Sequence, residues 1–304
     1  QASVPTVILG GLQPPFANIG STRSNGVDIS LGYNSKVGKD LKVSTTITFT
    51  TVKNRVTGTN QEGTARNVGG SYFNGQSQTV TVFEKDKTPY YYYGYKTIGL
   101  FQTEGEIAAS PLQPGAQPGD IKFADLNGDN VIDSKDQTQI GNPCPKFNMG
   151  WNLNLEYKNF DLSVLTYASY GNDVYRALER NANYTNKFRS VLDRWTGPGT
   201  TNDPHNPRYS FTDPNNNARV SDRYVEDGSF IKVRNIVLGY NFQFAPIKRI
   251  FKSVRLYGQV KNAFTFTKYT GFDPEISAGL SDVGIDRGAY PQARTYSVGL
   301  DIKF

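Results

Sequence analysis

Residues 125–136 read Asp-Leu-Asn-Gly-Asp-Asn-Val-Ile-Asp-Ser-Lys-Asp, with oxygen-bearing side chains at positions 1, 3, 5, 9 and 12: Asp125, Asn127, Asp129, Asp133 and Asp136. Val131 at position 7 would add its backbone carbonyl, and Ile132 at position 8 is apolar. Short carboxylates on alternate residues aim at one centre, so the spacing suits a loop wrapped around a hard cation, with calcium the expected ion. Asn130 stands where glycine usually makes the sharp turn, and Asp136 where a longer glutamate usually closes the shell. Asn tolerates the left-handed conformation better than most residues. The same stretch also reads as an acidic turn held by Asx hydrogen bonds. On either reading it orders a loop and does no catalysis.

Two other groups of residues could act on a ligand. Tyr91, Tyr92, Tyr93 and Tyr95, in the run that begins at Tyr90, could stack on sugar rings or peptides, or equally form the buried core of a loop. The single histidine, His205, lies in the polar segment Asn-Asp-Pro-His-Asn-Pro-Arg-Tyr. No G-x-S-x-G nucleophile motif accompanies it. No catalytic residue is assigned; an outer-membrane hydrolase using His205 is kept as an alternative. Cys144, between Pro143 and Pro145, has no second cysteine to pair with.

The elements that must position these groups are strands. Strict period-2 alternation recurs along the chain. It is cleanest at 147–158, where Phe147, Met149, Trp151, Leu153, Leu155 and Tyr157 alternate with Asn148, Gly150, Asn152, Asn154, Glu156 and Lys158. Similar patterns predict strands at 27–34, 41–52, 160–170, 236–244, 254–266 and 294–304, with a further short one from Thr6 to Leu9. Several approach the ~9–11 residues of a tilted strand crossing a bilayer.

Links between these strands alternate short (35–40, 158–159, 245–253) and long (53–146, 171–235, 267–293). Tight turns at one end and long loops at the other are the asymmetry of outer-membrane barrels. It predicts extracellular long loops and a periplasmic C-terminus at Phe304. Aromatic residues at strand ends, Phe147 and Tyr157 on one strand and Phe160 and Tyr170 on the next, fit girdles at the two headgroup levels. A β-sandwich also alternates but does not explain the loop asymmetry. Parity carried upstream from 236–244 places Lys232 and Arg234 on the lipid side above the hydrocarbon edge, near lipid phosphate, or in a solvated loop. Residues of the opposite parity, among them Asn152, Asn154, Glu156, Arg255, Gln259 and Lys261, would face the lumen.

Composition excludes several other classes. No run approaches the ~18 apolar residues of a spanning helix, and the mean hydropathy is −0.52. The 33 Lys and Arg give a net charge of +6 but are scattered, which argues against nucleic acid. The opening QASVPTVILGGLQPP lacks the charged and apolar regions of a signal peptide. Either a leader has been removed or Gln1 is not the true start.

Several blocks, taken in order, resemble the SusC-like TonB-dependent transporters of Bacteroidota. They are YYGYKTIGLFQTEGEI (92–107), GDIKFADLNGDNVIDSKDQTQIGNPCPKFNMGWNLNLEYKNFDLSV (119–164), RWTGPGT (194–200), SDRYVEDGSFIKVRNIVLGYNF (221–242), KNAFTFTKYTGFDPEIS (261–277) and YPQARTYSVGLDIKF (290–304). The resemblance implies an all-β transmembrane antiparallel barrel of about 22 strands, plugged, of which residues 1–304 hold roughly the last seven or eight. It implies import of glycans, oligosaccharides or peptides, drive from the TonB complex, a SusD-like surface lipoprotein as cap, and outer-membrane lipid around the wall. The family's plug, N-terminal extension and TonB-contacting segment have no counterpart here. The acidic loop also resembles a recurring family element that usually has glycine at the place of Asn130. A self-contained eight-stranded barrel acting as pore or anchor, and a secreted calcium-binding sandwich, are the remaining alternatives.

Overall fold

The computed structural model describes residues 2–3, 16–17, 20–59, 66–73, 76–179, 187–243, 251–276 and 278–304. Seven strands form one sheet: β1 (Gly20–Val37), β2 (Leu41–Thr59), β3 (Phe147–Tyr157), β4 (Phe160–Tyr170), β5 (Phe230–Phe242), β6 (Ser253–Thr267) and β7 (Thr295–Lys303). Each pairs antiparallel with its neighbours in the chain, so spatial order equals sequence order from β1 to β7. This is an up-and-down meander. β1 and β2 run well beyond the alternating cores at 27–34 and 41–52. The strand expected at 6–9 and most of the link expected at 245–253 lie outside the described residues.

One sheet face is apolar and uncovered. Val27, Leu31, Leu238, Phe266 and Val298 are each more than half exposed. A soluble sandwich would bury that face under a second sheet, and none covers it among the described residues. The opposite face is polar and knit across strands: Lys42 to Glu156 at 2.6 Å, Gln259 to Asn235 at 2.8 Å, and Arg255 to both Asp161 (2.5 Å) and Asp301 (3.2 Å). Rings cluster at both ends of the apolar face. Phe147 stacks on Tyr170 at 5.1 Å near Phe49, and Phe160 meets Tyr240 edge-on at 4.8 Å beside Phe242. β3 rises roughly 33 Å along its length. At a tilt of about 40° that gives about 25 Å of height, the thickness of a lipid-facing band.

A β-bulge overturns one expectation. On β4 the chain advances two residues from Val164 to Thr166, while on β5 it advances three, from Ile236 to Val233, with Arg234 as the extra residue. An extra residue reverses the facing of everything beyond it. Ile231 and Val233 therefore join the apolar face, and Lys232 turns to the polar face. Lys232 is 1% exposed, with Nζ 3.1 Å from Asp273 and 2.9 Å from Glu275, and Arg234 also pairs with Glu275. Neither cation is placed for lipid phosphate. Both fasten the connection that follows β6.

Candidate binding site in the loop layer

The three long connections fold together. The first adds a four-stranded sheet in the order Gln137–Gly141, Tyr91–Tyr95, Gln76–Phe83, Arg66–Phe73. The second supplies Asp173–Arg176 and Val225–Asp227, which form a three-stranded sheet with Ile285–Asp286 of the third. Their shared core is Val80 and Tyr92 from the first connection, Tyr175, Val220 and Tyr224 from the second, and Ile285 from the third. A second cluster, Leu100, Ile121, Phe123 and Ile132, packs under Tyr95 and Trp195.

A buried polar network joins the first two connections. Asp120 is fully buried, and its carboxylate accepts from Arg208 Nε (2.7 Å) and Nη2 (3.2 Å), Asn217 Nδ2 (2.8 Å) and the Gln117 amide (2.9 Å). Asn215 and Gln113 both donate to the Ile121 carbonyl; Gln113 Nε2 also donates to Asn215 Oδ1 (2.5 Å), and Asn215 Nδ2 to Asn217 Oδ1 (2.7 Å). Full pairing is what makes so much buried polarity tolerable. Sequence reading missed this set; its one local signal is Asp213-Pro-Asn-Asn-Asn, where Asp213 accepts from the amides of Asn217 and Ala218 and fixes the turn.

The chain spans only part of its relatives. It is 30% identical over 310 residues to the TonB-dependent receptor P3 of Formosa agariphila, covering 97% of this chain and 30% of that receptor. The TonB-dependent receptor SusC of Bacteroides thetaiotaomicron is 28% identical over 300 residues, 94% of this chain and 27% of its own length. The chain belongs to the SusC-like TonB-dependent receptors. Such receptors reside in the bacterial outer membrane. Among solved structures, a RagAB peptide transporter chain aligns with a TM-score of 0.75 at 20% identity, over 99% of this chain and 31% of that one. The open seven-stranded sheet is thus a portion of a TonB-dependent barrel wall. No family model matches the chain.

Within this SusC-like chain the tyrosine run divides. Tyr92 is fully buried and Tyr91 is 1% exposed, so neither ring can stack on a ligand, and for these two the cargo-binding expectation is corrected. Tyr92 fills the shared core, and Tyr91 donates its hydroxyl to Glu84. Tyr93 and Tyr95 are half-buried; Tyr95 packs on Phe123 under the Arg219 guanidinium. Burial raises the hydroxyl pKa of Tyr92, Tyr175 and Tyr224, the last to about 12. An unfolded tyrosine ionises near pH ~10. These groups therefore contribute stability that is complete below about pH 10 and lost as pH rises toward the folded values, at about 1.4 kcal/mol per pH unit for each tyrosine. Circular dichroism of the receptor between pH 9 and 12 should report loss of the loop layer; an unchanged signal would refute the assignment.

In the acidic loop the carboxylates are occupied by the loop itself. Asp125 accepts from the amides of Gly128 (2.7 Å) and Asn130 (2.8 Å), and Asp136, fully buried, from Leu126 (2.9 Å) and Asp133 (2.8 Å). Asp133 caps the 3-10 turn Ser134–Asp136 in a reciprocal capping box. Asp129 accepts from Asn127 and Val131, and the Asn127 amide chiefly holds its carboxyl below the usual range. Among the described residues, no three acidic, histidine or cysteine side chains gather as a metal site. The loop is anchored by Ile132, whose amide donates to the Leu112 carbonyl at 2.9 Å, while Asn130 returns its carbonyl to the Leu112 amide at 2.8 Å. Asn130 has φ +62°, so asparagine does take the left-handed turn. A β-branched residue is strained there by ~1–2 kcal/mol; Asn130→Val should loosen the loop, read as faster amide exchange over 126–132, and Asn130→Gly should not.

His205 is about half exposed and pairs through Nδ1 with Asp203 at 2.7 Å. It belongs to the wall of a cavity in the second connection.

Proposed function

We propose that this chain supplies wall and extracellular loops of a TonB-energised importer that takes glycan, oligosaccharide or peptide cargo across the outer membrane under a SusD-like lipoprotein cap. The observation that carries the reading is the sequential meander with all three long connections folded into one layer at the same end. A wall whose outward loops share a core offers a rigid rim, against which a lid can close and cargo can be held. Cargo caught there would pass along the polar face, between cross-strand pairs such as Lys42 with Glu156, once TonB displaces the plug. In this orientation Phe304 is periplasmic, and the apolar face of β1 to β7 meets lipid. The chain performs no chemistry on the cargo.

The test is uptake of labelled glycan or peptide by cells with and without a functional TonB complex, together with purification of the receptor in mild detergent. Accumulation that requires TonB, and a co-purifying surface lipoprotein, are expected. Equal uptake without TonB would replace the importer with a passive pore.

We also propose calcium for residues 125–136, although no step of transport is routed through it. Asp125, Asn127, Asp129, Asp133 and Asp136, with the Val131 carbonyl, would be the donors, and all four aspartates, Asp136 from a fully buried position, would have to exchange turn hydrogen bonds for the ion. Calcorimetric titration of chelator-treated receptor with calcium should show a site that Asp125→Asn removes. The same heat in both proteins would leave the segment a plain Asx turn.

A further inference from the structure

One cavity is used by neither the wall nor the loop core. It has a volume of about 110 Å³ and lies between the 3-10 turn Arg189–Asp193 and the segment from His205 to Ser210. Pockets for whole ligands usually measure ~300–1,000 Å³, so this one has room for an end group. Its walls carry Lys187, Arg194, Arg208 and Arg223 against Glu179 and Asp213. Arg208 is matched by Asp120 outside the cavity. Arg223 is matched by Glu179, which Arg176 also meets at 2.8 Å.

Arg223 and Arg194 are held differently. Arg223 has a side chain 6% exposed and pairs with Glu179 at 2.9 Å, yet its buried Nε has no acceptor among the described residues. Arg194 makes one hydrogen bond, from Nη1 to the Val191 carbonyl at 3.2 Å, and no ion pair among the described residues. Phe188 and Tyr209, also in the wall, give an apolar border, with Arg176 over the first ring and Lys187 over the second.

A guanidinium at the cavity wall with most of its donors unused suits an anion, and its planar fork matches the two oxygens of a carboxylate. Resting on the importer reading, we propose that this cavity receives a carboxylate end group of the cargo, with Arg194 as its ion-pair partner and Phe188 and Tyr209 against the adjoining carbon skeleton. Two sources share that chemistry: the C-terminus of a peptide and the uronate of an acidic sugar.

The test uses the full-length receptor in detergent and two matched probe pairs: a short peptide as free acid and as amide, and a galacturonate oligomer with its neutral galactose counterpart. A hydrogen-bonded ion pair of this kind corresponds to about 10–100-fold in affinity. One acid form should bind tighter than its neutral counterpart by that factor, and which pair shows it names the source. The preference should vanish in Arg194→Gln and return in part in Arg194→Lys, which keeps the charge and guards against misfolding as the cause. Equal binding of acid and neutral forms, no binding of either acid form, or a preference that survives in Arg194→Gln would overturn the proposal. TonB dependence of uptake is read separately, so the importer can stand while the carboxylate site falls.

Discussion

Tyr92→Ala should melt the loop layer while leaving the wall of the barrel paired. The ring is fully buried against Tyr175, 5.8 Å away, and shares its core with residues of all three connections. Its hydroxyl lies 3.1 Å from the Asp173 carbonyl and 3.2 Å from the Val283 carbonyl, so the same side chain spans the second and third connections. Truncating a buried aromatic ring costs ~3–5 kcal/mol. Tyr92→Phe keeps the ring and removes only the hydroxyl, at about 1 kcal/mol. Hydrogen exchange should show protection lost over 91–95, 173–176 and 283–286 in the alanine variant and nearly kept in the phenylalanine variant. Protection of 147–170 should not change. Loss confined to 91–95 would mean that the three connections fold independently.

Lys232→Met should release the third connection. The ammonium is buried on the polar face between Asp273 and Glu275, and Asp273 is 10% exposed at its side chain. Removing one member of a buried ion pair costs ~3–5 kcal/mol, because the carboxylate left behind keeps its desolvation without its partner. Arg234 still meets Glu275, so the burden falls on Asp273. The double variant Lys232→Met with Asp273→Leu should recover much of the loss, since an apolar pair of similar size is often neutral there. Limited proteolysis at 268–276 is the readout, faster in the single variant than in the double. Equal resistance in wild type and single variant would show that the connection is held by other contacts.

Local pattern made the wall legible. Alternation such as Phe147 to Tyr157 reports two faces directly, and the ordering of short and long links reports the meander. The position of Lys232 was not legible, because a bulge is a one-residue mismatch between two strands and leaves no mark in either alone; parity counted through Arg234 gives the wrong face. In the tyrosine run, alternation could not separate a ligand platform from a core, since both ask for aromatic rings on a strand. Burial with Tyr175, Tyr224 and Ile285, all distant in sequence, decides it for Tyr92, and Tyr91 is as deeply buried with its hydroxyl on Glu84. The left-handed turn at Asn130 was legible from its type and place, whereas the Asp120 network depends on partners almost a hundred residues away. The cavity beside Arg194 is of the same kind: its lining is scattered from Glu179 to Arg223 and shows no spacing.

The shared core has a consequence for how such a chain can diverge from its relatives. Tyr92, Tyr175, Tyr224 and Ile285 come from three separate stretches of chain, and each loop presents its surface only while the others hold it. Grafting one loop from a relative would bring in half of a mismatched joint. The unit that must be inherited together is the trio, and recombination that preserves the fold of the loop layer should exchange residues 60–146, 171–229 and 268–294 together.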